Sequence, residues 1–250
     1  MADVRVLVVQ PSEIDPPGSL GEWFTAAGAE LDVVRADSPE LPAGLDGYDA
    51  LVVLGGEMNA LDDANHPWLR AVRSLLSEAV SKRVPVLGIC LGAQLLAAAT
   101  GGRVNESAHG PDAGTKLVAK RDVAAEDLLL GPVALTPDVL QFRRDEVAAL
   151  PPTAQLLASA PKGENQAFRV GDCAYAFQFH IETTTETVLE WAERMPELAG
   201  TARSGQFERA HLDEFHADLA ETWQPVAERF VRLAATPPEE RTPTRFLPMA

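Results

Sequence analysis

Apolar positions along the chain fall into short runs separated by amphipathic stretches, the pattern of buried strands wrapped by helices. Residues 4–9 (Val-Arg-Val-Leu-Val-Val) read as a buried strand. A short helix over 20–27 ends at Gly28, a second strand follows over 31–34, and after a loop over 39–47 a third strand over 50–54 runs into Gly55-Gly56. Trp68, Val72, Leu75, Leu76 and Val80 recur at intervals of three or four, which predicts a helix of about four turns with one apolar face. The Asn65-His66-Pro67 side is where its cap is expected. A fourth strand then enters Gly88-Ile89-Cys90-Leu91-Gly92, and an alanine-rich helix is predicted from Leu91 to about Thr100.

Past Gly101-Gly102 the predicted strands are shorter and more polar, over 115–119, 133–135, 139–142, 154–159, 167–170 and 174–179. Thr183-Thr184-Thr185-Glu186 resembles a helix start with an acidic first turn, leading into Val188, Leu189, Trp191 and Ala192. A later helical stretch over 207–235 carries Leu212, Phe215, Leu219, Trp223, Val226, Phe230 and Leu233 at helical spacing, with Pro225 placed to kink or split it. The expected fold is α/β, with a mostly parallel central sheet flanked by helices, a β-rich second half and a C-terminal helical extension. The expected organisation is a main domain over 1–196, the helical extension over 197–235, and a Pro-rich, loosely ordered tail over 236–250.

At 250 residues with 46% hydrophobic side chains, the chain can bury a sizeable core. The 37 acidic residues outnumber the 21 basic ones, giving a net charge of −16 that repels nucleic-acid backbones and anionic membranes. No nucleic-acid or membrane partner is expected. No apolar run approaches a membrane span or a signal peptide, so the expected location is the cytoplasm. Cys90 and Cys173 are too few for a disulfide framework and lack metal-ligand spacing. Neither a metal nor a cofactor is expected, because phosphate-loop and dinucleotide fingerprints are missing.

The chemistry centres on Cys90. A residue on a sharp strand-to-helix turn points out of the sheet, and glycines two positions either side remove the Cβ atoms that would clash. The positive end of the following helix favours a thiolate placed there. An inert core cysteine is the alternative reading. A second pattern is Gln178-Phe179-His180-Ile181-Glu182. Side chains two apart on a strand share a face, so His180 and Glu182 project together while Phe179 and Ile181 enter the core. A carboxylate beside an imidazole fixes its tautomer and stabilises the imidazolium, the base half of a cysteine triad. His66 and His109 fall in predicted loops and His211 and His216 in the C-terminal helical region, all four expected to face solvent.

Taken together, the Gly55-Gly56 turn, the elbow through Gln94 and the 178–182 segment resemble the class I glutamine amidotransferases. Met58-Asn59-Ala60-Leu61-Asp62-Asp63, Pro67-Trp68-Leu69 and Asn165-Gln166-Ala167-Phe168 add to the likeness, which covers residues 1 to about 195. Within that family the chain is similar to the stand-alone proteins related to the glutaminase domain of GMP synthetase. The resemblance implies a flavodoxin-like fold and a glutaminase in which Cys90 attacks the glutamine amide. His180 is then base and acid, and Glu182 orients it. It also implies an oxyanion hole from the backbone N–H groups of Gly56 and Leu91, with Gly55 and Gln94 at the substrate.

The chain departs from its relatives at Phe142-Arg143-Arg144-Asp145, where they often read Ser-His-Gly-Asp, and at His109-Gly110-Pro111-Asp112-Ala113-Gly114. Arg143 and Arg144 either contact an anionic group of the substrate or are surface charge. About fifty residues beyond the family-like part are too few for a second catalytic domain, so ammonia is expected to pass to a separate synthetase subunit or be released. The stretch carrying Phe215, Trp223 and Phe230 either packs on its own domain or docks such a partner or a second copy of the chain. Three functions fit: a stand-alone glutaminase, a γ-glutamyl peptide hydrolase using the same triad, and a non-catalytic binding protein.

Overall fold

The structure is a computed structural model that describes residues 4–241. An eight-stranded sheet runs through it in the order β2-β1-β3-β4-β12-β11-β10-β7. Its first five members, β2 (Ala29–Arg35), β1 (Val4–Gln10), β3 (Ala50–Val53), β4 (Val86–Ile89) and β12 (Ala174–Phe177), are mutually parallel. The other three, β11 (Ala167–Val170), β10 (Ala154–Ser159) and β7 (Ala119–Lys120), continue antiparallel. The apolar runs reflect burial on both faces, as parallel sheets require. Along β1, Val6 and Val8 face one hydrophobic cluster while Leu7 and Val9 face the other.

Helices α2 (Leu69–Lys82) and α3 (Leu91–Ala99) cover one face. The other is covered by α1 (Gly18–Ala26), α4 (Thr185–Arg194) and α6 (Arg209–Ala235), with α5 (Pro196–Ala199) a single turn between the last two. Two small antiparallel pairs, β5 (Arg103–Glu106) with β9 (Asp145–Ala149) and β6 (Asp112–Leu117) with β8 (Asp138–Arg143), form a ledge beside the parallel strands. The α/β architecture and mostly parallel sheet match the expectation.

Several local expectations are corrected. Helix α2 has no side-chain cap from the 65–67 side; Trp68 stands at its cap position, and the Asn65 amide instead donates to Asp62. Residues 133–135 form an irregular bend, with Val133 buried but Leu135 exposed, so the apolar pair that suggested a strand does not share one environment. The strand predicted over 115–119 breaks at Val118 into β6 and β7. Helix α6 runs unbroken through Pro225, because Trp223, Val226, Ala227 and Phe230 bury its flanks and outweigh one missing hydrogen bond. Trp223 packs against Phe177 and Phe179 at 5.5 and 5.3 Å between ring centroids, and Phe230 against Phe24 at 5.5 Å. With Phe215 also buried, these aromatics are committed to the chain's own core rather than offered to a partner. Of the predicted tail, 236–241 is described and includes a 3-10 turn over Pro238–Glu240; the remainder lies outside the described residues. No helix among the described residues is long and apolar enough to cross a membrane.

Candidate active site

Cys90 stands where β4 turns into α3, at φ 49° and ψ −103°. A non-glycine residue persists in such a conformation only where packing over-determines it. Here a Cβ on Gly88 would lie 2.7 Å from the Gly92 carbonyl carbon, and one on Gly92 would lie 2.8 Å from the Val53 carbonyl carbon. Both positions therefore need glycine to let α3 approach the sheet. The Cys90 N–H donates to the Phe177 carbonyl at 2.8 Å, tying the elbow to β12.

Strand β12 stops at Phe177, two residues short of the predicted strand. Beyond it, the His180 N–H donates to the Leu140 carbonyl at 2.8 Å, so β8 holds the segment in extended form. As the period of two predicts, Phe179 and Ile181 are buried in the core and His180 and Glu182 point together. The His180 Nδ1 meets Glu182 Oε1 at 2.6 Å, and Glu182 Oε2 accepts from the Ile181 N–H at 2.9 Å. At the N-terminus of α1, the Ser19 N–H donates to the Glu182 carbonyl at 2.8 Å. Burial alone lowers the His180 pKa, but attraction to the Glu182 and Cys90 charges outweighs it and raises the imidazole well above the ordinary histidine value. With Nδ1 engaged, the buried Nε2 has no hydrogen-bond partner.

Cys90 and His180 line one cavity of about 210 Å³. Gly56 borders it, and a Cβ there would lie 2.9 Å from the Leu91 side chain, so the glycine turn and the first residue of α3 are in contact. As the first residue of that helix, Leu91 has an N–H with no partner within α3. Lining the same cavity, the Gln94 amide donates to the Asp145 carbonyl at 3.2 Å and the Asn59 amide to the Asp145 carboxylate at 2.8 Å. Burial, first among several causes, raises the Asp145 pKa above the usual carboxylate range.

Arg143 is not surface charge, since its side chain is 1% exposed. Its Nε donates to Gln141, whose amide donates to Gln166, while its terminal nitrogens donate to the Asp145 and Lys162 carbonyls. Two carboxylates, Asp112 at 3.8 Å and Glu146 at 3.7 Å, balance its charge. This relay explains Gln166 in the 165–168 motif. Arg144, by contrast, is exposed at the cavity rim. Gly55 forms the floor beneath His180, whose Cε1 would be 3.0 Å from an added Cβ.

Two residues at the cavity carried no assignment in the sequence. Trp191 from α4 stands edge-on to the His180 ring at 4.8 Å between centroids, and its Nε1 donates to the Ile14 carbonyl at 2.7 Å. Asp15 is a buried carboxylic acid in the loop after β1. Burial is the main cause raising its pKa to about 7, opposed by His180. The only sequence signal for it is position, since ligands of parallel sheets gather at the C-terminal ends of strands. His216 is corrected as well: it is half-buried, bonded to Thr183 at 3.0 Å and to the Leu212 carbonyl at 2.8 Å. Among the described residues no group of three or more His, Cys, Asp or Glu side chains is placed to hold a metal ion.

The family model for glutamine amidotransferase class-I matches residues 19–189. A γ-glutamyl peptidase 4 of Arabidopsis thaliana is 27% identical over 212 residues, covering 82% of this chain and 82% of the relative. A glutamine-hydrolysing GMP synthase of Flavobacterium psychrophilum is 31% identical over 154 residues, 59% of this chain but 27% of the synthase. Among solved structures, a glutamine amido transferase from Methylobacillus flagellatus superimposes with a TM-score of 0.83 at 28% identity, covering 93% of this chain and 96% of that one.

Proposed function

The chain belongs to the class I glutamine amidotransferases, and on that premise we propose that it is a stand-alone hydrolase of the glutamine side-chain amide, working through a γ-glutamyl thioester on Cys90. One observation carries the reading: the buried His180 Nε2 is unpartnered in the same cavity as the Cys90 thiol, while Nδ1 is held by Glu182. The carboxylate on Nδ1 leaves Nε2 as the nitrogen that exchanges a proton with Cys90, and the raised imidazole pKa lets Nε2 hold that proton before attack.

In the proposed sequence Cys90 first passes its proton to His180 Nε2, and Sγ then attacks the amide carbon. The oxyanion is received by the backbone N–H groups of Gly56 and Leu91. Collapse breaks the C–N bond, the leaving nitrogen takes the proton from His180, and ammonia departs. Water, deprotonated by His180, then cleaves the thioester to glutamate. The amino-acid head of the substrate lies by Gln94, Asp145 and Arg143, with Arg144 at the rim, and its amide passes over Gly55 beside His180; Arg143 supports the loop carbonyls there as well as supplying positive charge. A separate synthetase subunit is the proposed ammonia acceptor where one exists.

A second reading, hydrolysis of γ-glutamyl peptides, is favoured by the match to the Arabidopsis peptidase over four-fifths of both chains, against 27% of the synthase. Purified protein is expected to release ammonia from glutamine and to be labelled at Cys90 by a diazo-ketone glutamine analogue. Turnover of a γ-glutamyl dipeptide without ammonia release from glutamine would select the peptidase reading. Inertness to both would leave a binding protein.

A further inference from the structure

We propose that Asp15 faces the leaving nitrogen and sets which γ-glutamyl amides this site accepts: those releasing ammonia or an amine without a carboxylate beside its nitrogen. The inference deepens the Cys90 reading and rests on it.

The argument begins with where the leaving group must point. Its nitrogen takes a proton from His180, so it lies beside that imidazole, whereas the Gln94, Asn59 and Arg143 side chains are tied to Asp145. Asp15 lines the same cavity next to His180. Its Oδ1 and the His180 Cε1 lie 3.1 and 3.0 Å from the point a Cβ on Gly55 would reach, so carboxyl group and imidazole share one floor.

The position of Asp15 is built rather than incidental. The Ile14 carbonyl is pinned by Trp191, the Ile14 N–H by the Ser12 hydroxyl at 3.4 Å, and the Asp15 N–H by the Ser12 carbonyl at 3.3 Å. The charged groups acting on Asp15 are His180 and Glu182 from the segment after β12 and Glu57 from the loop after β3, and none is an arginine or lysine. A leaving group with its own carboxylate would therefore meet the Asp15 and Glu57 carboxylates, and the one cation acting on Asp15, the His180 imidazolium, is already paired with Glu182. Burial in that setting is also what lifts the Asp15 pKa to about 7, so the group ionises across neutral pH. Asp15 itself makes and breaks no bond. The S–C bond forms first, the C–N bond breaks when the tetrahedral intermediate collapses, and the proton travels from Cys90 through His180 to the leaving amine.

The test compares kcat/KM for γ-glutamylethylamide and γ-glutamylglycine, which differ at the leaving group and share the γ-glutamyl head. The intact protein is expected to prefer the ethylamide by about tenfold or more at pH 8.5, with the gap narrowing at pH 5.5 as Asp15 protonates. A change in His180 charge also acts on the glycyl carboxylate, so the share due to Asp15 is the part of the pH response that disappears in Asp15→Asn. In Asp15→Asn the preference is expected to fall to about threefold or less at both pH values. A ratio near one in the intact protein, or a preference indifferent to both pH and the substitution, overturns the assignment of Asp15 while leaving the Cys90 chemistry standing. Should Asp15→Asn fail to fold, Asp15→Ser, which also removes the carboxylate, takes its place in the same comparison. Hydrolysis of neither amide, nor of glutamine, overturns the Cys90 reading and this inference with it.

Discussion

Replacing Glu182 by Gln tests the proposed triad at its most constrained point. The two carboxylate oxygens have different duties: Oε1 meets His180 Nδ1 at 2.6 Å and Oε2 accepts from the Ile181 N–H at 2.9 Å. An amide has one acceptor and one donor end. The Ile181 N–H demands the acceptor, so the Gln nitrogen turns towards His180 and donates to Nδ1. The imidazole must then carry its hydrogen on Nε2, the nitrogen needed to take the Cys90 proton. Loss of a charge-assisted bond to the imidazolium costs about 1.5–3 kcal/mol, roughly 10- to 100-fold in rate. The inverted tautomer adds to this, and in serine-protease triads the corresponding substitution costs about 10⁴. The expected fall in kcat/KM for glutamine is therefore between about 10² and 10⁴. Rapid-quench measurement of thioester formation should show that acylation carries the loss, with near-ultraviolet circular dichroism confirming the native core. A variant within about fivefold of the intact protein would refute the proposed division of labour between the two oxygens.

Two further outcomes are expected. Gly92→Ala should lower stability by about 3 kcal/mol, because the added methyl group meets the Val53 carbonyl and forces α3 off the sheet, against a helix-propensity gain of about 1 kcal/mol; an unchanged urea midpoint would show that the elbow has room to spare. Asp15 has a folded-state pKa of about 7 against 3.8 for a free carboxyl, so the folded chain holds the extra proton between those values and its stability falls as pH rises from about 4 to about 7. Asp15→Asn removes that penalty and should be more stable than the parent by roughly 2–4 kcal/mol at pH 8 and equal to it near pH 4, as followed by thermal melting.

The elbow was legible because everything it needs is local: a β-run, two glycines at fixed offsets and a helix-forming run after the cysteine. The pairing of His180 with Glu182 was legible for a similar reason, although its extended form comes from bridging to Leu140 rather than from a longer β12. Asp15 and Trp191 were not, since nothing in either local sequence points at His180; a hydrogen bond spanning 177 residues brings their segments together. Arg143 was ambiguous because its burial depends on Gln141 and Gln166, which the chain supplies from two other places. Strands β5 and β9 escaped notice for want of an apolar run, each having a single buried side chain, Val104 and Val147. The opposite error at 133–135 arose from an apolar pair that packing separates.

The packing of α6 has a consequence for how the protein comes into being. Trp223 supports the β12 aromatics next to His180, and Phe230 closes on Phe24 of the first helix. Cys90 and His180 are both synthesised well before residue 223, yet the wall behind the base is absent until α6 emerges. A chain growing on the ribosome thus carries its thiol without a finished catalytic apparatus. Contacts spanning nearly the whole sequence also make assembly a slow, late event. The site is completed only once α6 has been made, so chains stopping short of residue 223 should be catalytically silent.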